Sequence, residues 1–143
     1  MKINETDIDV RYQETDQMGV VYHANYLVWF EIGRTKFIQS IGLNYKDMED
    51  AGYVSPVTHA DVHYKLPIRY GDDVIVRTWI DYYDGMRTIY GYEIIGADEK
   101  VAVTGTTTHV IVDKQTFRPK SLRREFPDWH EIYDKETKRK RGD

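Results

Sequence analysis

The sequence predicts an α+β domain in which an antiparallel five-stranded sheet wraps around one long central helix. Apolar residues recur at spacings of three and four from about His23 to Ile41, and from residue 58 onward they alternate with a period of two. Short turn signals separate the later strands, and such short connections favour an antiparallel meander. An open sheet has edges that can pair with a second copy, so a homodimer or homotetramer is expected.

The N-terminal part of the chain predicts the first strand and the long helix. Ile8, Val10 and Tyr12 alternate, which is typical of a strand with one buried face, and a loop containing Asp16 follows. The helix ends at Gly42 and, at about 19 residues, would be roughly 28 Å long. Its predicted apolar stripe consists of Tyr26, Leu27, Phe30, Gly33, Phe37, Ile38 and Ile41.

The rest of the chain predicts a short helix followed by strands and a terminal helix. Asn44 is the expected cap of a helix at 45–51, and Gly52 its stop. Pro127 marks the start of the terminal helix, with Asp128 as its cap. Residues 135–143 hold five basic and two acidic residues, which predicts a flexible basic tail on a single domain spanning 1–143. The remaining strands are predicted at 58–66, 74–82, 89–95 and 101–112.

Composition and missing motifs exclude several classes of function. The chain has no cysteine, which excludes disulfides, thiolate metal sites and cysteine nucleophiles. No serine lies in a G-x-S-x-G elbow, and no glycine-rich nucleotide-binding motif occurs. No apolar run is long enough to span a membrane, and the N-terminus lacks the apolar core of a signal peptide. We therefore expect a cytoplasmic protein with no nucleic-acid partner and no membrane span.

The strongest candidate for a metal site is the run from His59 to His63. On the predicted strand both histidines share a face with Asp61, but they are about 13 Å apart along it. Zinc needs ligand atoms at about 2 Å, so one ion cannot reach both histidines without a bend. A polar sheet face is the simpler interpretation, and we expect no metal.

The stretch "ETDQMGVVYHANYLVWFE" carries the candidate chemistry. Asp16 is expected to be an ionised carboxylate, able to act as a nucleophile or general base. The first turn of the following helix offers unpaired backbone N–H groups that can stabilise an oxyanion. Gly19 allows a tight turn, and His23 could orient a substrate or pass a proton. The alternative is an ordinary aspartate-containing turn before a helix capped by Asn25.

Two charged residues further along the helix have a simpler interpretation. Glu31 and Arg34 are three residues apart, which places them on neighbouring positions of the helix surface. We expect them to form an ion pair rather than a catalytic pair.

Two blocks of sequence resemble a known family. "DQMGVVYHANYLVWFEIGR" and the later "LPIRYGDDVIV" resemble the hotdog-fold acyl-CoA thioesterases of the 4-hydroxybenzoyl-CoA thioesterase type. The resemblance extends to about residue 113 and implies a long helix wrapped by an antiparallel sheet. It also implies active sites at a subunit interface and hydrolysis of an acyl-CoA substrate without an added cofactor.

The same resemblance implies roles for individual residues. Asp16 would attack the thioester or activate water, and a backbone N–H near His23 would polarise the carbonyl. His23 itself matches a histidine of relatives that act on aliphatic acyl-CoAs. The implied substrate-binding positions are Gly19, Tyr22, Glu31 and Arg87, the last nominated for the CoA phosphates.

Two other functions remain open within this fold. One is a non-catalytic hotdog-fold module that binds acyl-CoA or regulates a partner. The other is a dehydratase, which the sequence favours less because the loop before the helix lacks the usual histidine-plus-acid arrangement.

Overall fold

The computed structural model describes residues 1–142, and Asp143 of the predicted tail lies outside the described residues. The described residues fold into one sheet, one long α-helix and three shorter α-helices. The strands are β1 Asn4–Ile8, β2 Tyr53–Val54, β3 Val57–Tyr64, β4 Val74–Tyr83, β5 Arg87–Ile95, β6 Val101–Asp113 and β7 Pro119–Lys120. The helices are α1 Asn25–Ser40, α2 Tyr45–Asp50, α3 Leu122–Glu125 and α4 Pro127–Glu136.

The sheet is antiparallel, as predicted, and its five long strands lie in the order β1-β4-β5-β6-β3. The described chain has seven strands rather than five, because β2 and β7 both pair with β6 beyond the end of β3. These two strands contain two residues each. Segments so short leave no alternation for sequence reasoning to detect.

Helix α1 packs across one face of the sheet and forms the centre of the core. Gly33 permits this approach, because a Cβ there would lie 2.5 Å from Thr78 Oγ1 on β4. Phe30 stacks on Tyr92 of β5 with ring centroids 4.2 Å apart. The buried residues of α1 are Tyr26, Trp29, Phe30, Gly33, Phe37 and Ile38. The hotdog architecture predicted for the chain is therefore confirmed.

The boundaries and the stripe of α1 differ in detail from the prediction. The helix has 16 residues and begins at Asn25, two residues after the predicted start. Leu27 does not belong to the buried stripe, since 41% of it is exposed. It lies on the outer face with Val28 and Ile32. Gly42 ends the helix as predicted, with φ +84° and its N–H donating to Gln39 O.

The structure corrects two other predicted details. The first strand ends at Ile8, and Tyr12 lies in a 3₁₀ turn where 74% of it is exposed. Asp128 does not cap α4: Pro127 is the first helical residue, so Asp128 already lies in the first turn. The cap predicted for α2 is confirmed, because Asn44 Oδ1 accepts from the backbone N–H of Lys46 at 2.9 Å.

Residues 135–140 also differ from the predicted flexible tail. A bulge in β4 between Ile80 and Tyr82 frees backbone groups of that strand. The Lys138 N–H donates to Ile80 O at 2.9 Å, and the Tyr83 N–H donates to Arg139 O at 3.1 Å. Arg139 also pairs with a carboxylate of β4, Asp81, at 2.8 Å. The chain after α4 is therefore held along β4.

Two features of residues 1–142 relate to the membrane span and the metal site considered above. None of the described helices is long and apolar enough to cross a membrane. No group of three or more histidine, cysteine, aspartate or glutamate side chains in this part of the chain is arranged to hold a metal ion. On β3, His63 Nε2 instead lies 3.2 Å from Asp61 Oδ1. The cytoplasmic location stays a prediction.

Candidate active site

The loop between β1 and α1 is anchored by a buried glutamate. Glu14 is 5% exposed, and its Oε2 accepts from Trp29 Nε1 at 2.9 Å while its Oε1 accepts from the Arg11 N–H at 2.7 Å. Its carbonyl accepts from Asn25 Nδ2 and from the Tyr22 N–H. Burial acts to raise the pKa of Glu14, but the hydrogen bonds that its carboxylate accepts from the Arg11 N–H and from Trp29, together with the Arg11 side chain, hold it below its ordinary value. The ionised carboxylate thus ties the loop to α1.

Asp16 lies in this loop, partly exposed. Its N–H donates to Val20 O at 2.8 Å, its carbonyl accepts from the Gly19 N–H, and its Oδ1 accepts from the Met18 N–H at 2.8 Å. Gly19 has φ +80°, a conformation that favours glycine. Within residues 1–142, Oδ2 of Asp16 accepts no hydrogen bond. The loop therefore fixes the carboxylate by one oxygen and leaves the other open.

The first turn of α1 follows directly and has no side-chain cap. Ala24 occupies the cap position, and Asn25 turns its amide to Glu14 O instead of capping the helix. The sequence-based alternative in which Asn25 caps α1 is therefore wrong. Among residues 1–142, the backbone N–H groups of His23 and Ala24 donate to no backbone carbonyl. These N–H groups, at the positive end of the helix, are available to an external acceptor.

Aromatic side chains surround this helix start. The ring of His23 lies 4.4 Å from that of Tyr22 and 6.2 Å from that of Tyr64, measured between centroids. The Tyr64 hydroxyl, on β3, donates to His23 O at 3.3 Å. Beneath them Tyr26 is buried, and burial, with the nearby Tyr64 hydroxyl and Asp16 carboxylate adding, raises the pKa of Tyr26 to about 12. The structure thus brings Tyr22 and His23 together with the Asp16 loop.

The predicted ion pair between Glu31 and Arg34 is absent. Glu31 is exposed on α1 and lines a shallow groove with Val28 and Ile32. Arg34 turns inward instead, where its Nη1 lies 3.5 Å from the Tyr92 hydroxyl and 3.3 Å from His109 Nε2. Helical spacing alone therefore predicted the wrong partner, because it takes no account of polar groups on the sheet beneath.

Arg87 is not brought beside Asp16 within one chain. Arg87 begins β5, at the sheet end opposite to the candidate site. The Asp16 loop meets the other end, because the Val21 N–H donates to Ile68 O and Ile68 packs against Gly96 after β5. The length of β5 separates the two ends by roughly 26 Å.

Sequence reasoning missed Glu14 and Tyr64 as parts of the site. Glu14 contacts Trp29, fifteen residues later, and Tyr64 contacts His23 across 41 residues. Neither contact has a local periodic signal. The only hint for Glu14 is its place two residues before Asp16 in a stretch already singled out.

The sequence matches a known protein family over most of its length. A family model described as the thioesterase-like superfamily matches residues 10–131, which is most of the chain. The chain belongs to the thioesterase-like superfamily. The prediction of a hotdog-fold hydrolase that cleaves thioesters is thereby confirmed.

Individual relatives agree with this family. YneP of Bacillus subtilis, named provisionally as an acyl-CoA thioesterase, is 48% identical over 138 residues, covering 96% of this chain and all of YneP. YbgC of Escherichia coli O157:H7, an acyl-CoA thioester hydrolase, is 26% identical over 115 residues, covering 80% of this chain and 86% of YbgC.

A solved structure also supports the superfamily assignment. The DHNA-CoA thioesterase of Staphylococcus aureus has a TM-score of 0.92 and 46% identity, covering 94% of this chain and 91% of that one. The finer assignment to the 4-hydroxybenzoyl-CoA type and the roles of Asp16, Gly19, Tyr22, His23, Glu31 and Arg87 stay predictions.

Proposed function

We propose that this member of the thioesterase-like superfamily hydrolyses acyl-CoA thioesters, with Asp16 as the reacting carboxylate. The observation that supports the proposal is the loop geometry. One oxygen of Asp16 is fixed by the Met18 N–H, the other is open, and the uncapped start of α1 follows in the same loop. The names of the relatives support acyl-CoA as the substrate class.

The reaction needs only groups that this site offers. The open oxygen of Asp16, or a water molecule that it deprotonates, attacks the thioester carbonyl carbon. The C–S bond then breaks and the electron pair leaves with sulfur as a thiolate. A thiol has a pKa near 8.5, so the leaving group departs without a strong acid. Direct attack gives an acyl anhydride on Asp16, which water hydrolyses in a second step.

The carbonyl oxygen gains negative charge as the attack proceeds. The backbone N–H groups of His23 and Ala24 would donate hydrogen bonds to this oxygen. They have no backbone acceptor among residues 1–142 and lie at the positive end of α1. Gly19, Tyr22 and His23 form the exposed surface around the reacting carbonyl, and Glu31 lies two turns further along α1.

We also propose that the active form is a homo-oligomer built through β3. This strand pairs only with β6 among the described strands, and seven of its eight residues are exposed. An unpaired edge of this length is a site for pairing with a second copy. Since Arg87 cannot serve Asp16 of its own chain, its proposed role at the CoA phosphates requires a partner subunit.

The decisive experiment is thiol release from short, long and aromatic acyl-CoAs by the wild type and by Asp16→Asn. The substitution keeps the shape of the side chain and removes its charge. We expect kcat/KM to fall at least about a hundredfold. The control is Asp47→Asn, which removes an exposed carboxylate of α2 and should leave turnover unchanged. Circular dichroism checks that both variants fold.

Two outcomes would overturn the proposal. If Asp16→Asn keeps wild-type turnover, Asp16 is not the reacting carboxylate. If the folded wild type binds acyl-CoA but hydrolyses none of the panel, the chain is the non-catalytic binding module. A single turnover in ¹⁸O-labelled water tests the direct route, since unlabelled acid forms only when Asp16 attacks the thioester and water then adds to the Asp16 carbonyl of the anhydride. Sedimentation equilibrium tests the oligomer, and a species with the mass of one chain would contradict it.

A further inference from the structure

A second polar site lies inside the fold, near the C-terminal half of α1. A cavity of about 20 Å³ opens there between α1, α2, the ends of β5 and β6, and the helices α3 and α4. That volume holds one water-sized group. We call it the Arg34 pocket, and the polar residues that line it are Arg34, Tyr45, Ser55, Thr88, Tyr90, His109 and Tyr133.

Arg34 is the one charged residue that lines this pocket. No ion pair of Arg34 occurs among residues 1–142, and its hydrogen-bond partners are the neutral Tyr92 hydroxyl and His109 ring. Both contacts use Nη1, so the other N–H groups of the guanidinium donate to no atom of the described chain. A partly buried cation without a carboxylate partner favours a bound counter-ion.

The His109 ring adds no charge to the pocket. It is 2% exposed, and its Nδ1 lies 3.2 Å from Ser55 O, which sets Nδ1 as the donor. Nε2 is then the acceptor for Arg34 and for the Thr107 hydroxyl at 2.9 Å. Burial, with the charge of Arg34 adding, lowers the pKa of His109 to about 4. The imidazole is therefore neutral at physiological pH.

The other polar groups of the pocket have protons to donate. The Tyr45 hydroxyl accepts from the Ser55 N–H at 2.8 Å, which leaves its own proton available. The hydroxyls of Tyr90 and Tyr133 lie 2.7 Å apart, so one donates to the other and a second proton remains. The pocket thus combines one cation with hydroxyl donors and has no carboxylate.

We propose that the Arg34 pocket binds a single monatomic anion of about the size of chloride. The volume matches one such ion, the positive charge of Arg34 attracts it, and the tyrosine hydroxyls complete its shell of donors. The pocket is distinct from the Asp16 site, which lies at the other end of α1, so the proposal does not depend on thioester hydrolysis.

Thermal unfolding at constant ionic strength tests this site. Chloride replaces methanesulfonate, an anion too large for the pocket, in steps up to about 200 mM. An ion that binds only the folded state raises Tm, here by about 3 °C or more. Arg34→Met should abolish the chloride dependence. Arg77→Met should retain it, because Arg77 is a partly exposed residue of β4 that pairs with Glu5 and Glu93 and does not line the pocket.

A bromide soak of wild-type crystals gives an independent readout if Arg34→Met does not fold. An anomalous peak within about 3.5 Å of the Arg34 guanidinium supports the proposal. Bromide found only elsewhere, or a chloride-dependent Tm that persists in Arg34→Met, overturns it. Formate or acetate raising Tm where chloride does not would also overturn it, since the occupant would then be a carboxylate.

Discussion

At the start of α1 the candidate carboxylate lies in a partly exposed loop, whereas in the second half of the helix the guanidinium of Arg34 turns into the interior. Asp16 has one oxygen fixed and one open. Arg34 is surrounded by neutral groups, among them Tyr92 and the buried ring of His109. Two polar sites of opposite charge thus lie along α1, one just before its first residue and one in its second half.

The difference lies in what supports each charge. At the start of α1, buried Glu14 accepts hydrogen bonds that hold the loop, so the partly exposed Asp16 is positioned by a buried neighbour. In the second half of α1, the guanidinium of Arg34 itself points into the interior, and the groups that it contacts, Tyr92 and His109, are neutral. The carboxylate of Asp16 is therefore accessible to a substrate, whereas the guanidinium of Arg34 has no charged partner and favours a small anion.

The largest expected effect comes from breaking the support of the Asp16 loop. Glu14→Ala removes the acceptor of Trp29 Nε1 and of the Arg11 N–H. Two donors left without partners should lower the free energy of unfolding by about 4 kcal/mol. Urea denaturation measures this loss, with Glu49→Ala on the exposed surface of α2 as the control, expected within about 0.5 kcal/mol of the wild type. Equal losses in both variants would refute the anchoring role.

The next largest effect is a pH dependence of stability caused by His109, which lines the Arg34 pocket. Folded His109 takes up a proton only near pH 4, whereas the unfolded chain does so below about pH 6.5. The unfolded state therefore binds more protons in this window, and stability should fall by about 3 kcal/mol as the pH drops from 6.5 to 4. Urea denaturation at several pH values measures the slope. His109→Gln should flatten it, and an unchanged slope in that variant would contradict the assignment.

A smaller effect is expected at Gly33, where α1 packs closely against β4 between the two sites. In Gly33→Ala, the new Cβ would lie 2.5 Å from Thr78 Oγ1 and 2.7 Å from Val76 Cγ1. Overpacking should cost about 2 kcal/mol despite the better helix propensity of alanine. Thermal unfolding measures it beside Thr35→Ala on the exposed face of α1. A Gly33→Ala variant more stable than the wild type would show that Thr78 and Val76 can shift to accommodate the new methyl group.

The smallest expected effect lies at the wall of the Arg34 pocket. Tyr133→Phe removes one hydroxyl of the pair with Tyr90 and should cost about 1 kcal/mol, because the remaining hydroxyl loses a buried partner. Guanidinium denaturation measures it, and Tyr12→Phe, at an exposed tyrosine, serves as the control. A cost equal to that of the control would mean that the pair contributes nothing to stability.

Much of the fold could be predicted because it follows from periodic patterns. The spacing of Phe30, Gly33 and Phe37 predicts the buried face of α1, and alternation predicts the long strands. The two-residue strands carry no such pattern. The predicted stripe wrongly includes Leu27, because apolar character alone does not say which side of a helix the sheet covers.

The candidate site was predictable only in part. Asp16, Tyr22 and His23 lie together because they are close in sequence and precede one helix. Glu14 and Tyr64 were missed, since they join the site through contacts that only the folded chain makes. Helical spacing predicts Glu31 as the partner of Arg34, while the actual neighbours of Arg34 lie on strands far away in sequence.

Helix α4 and the residues that follow it complete the interior of the fold late in synthesis. Trp129 and Tyr133 of α4 form one wall of the Arg34 pocket, and residues 138–139 bind the bulged part of β4. These residues leave the ribosome after all seven described strands and after helices α1 to α3. Until then Tyr83 and Tyr90 lack their contacts with Tyr133, so the nascent chain can complete the Asp16 loop before it can close the interior around Arg34.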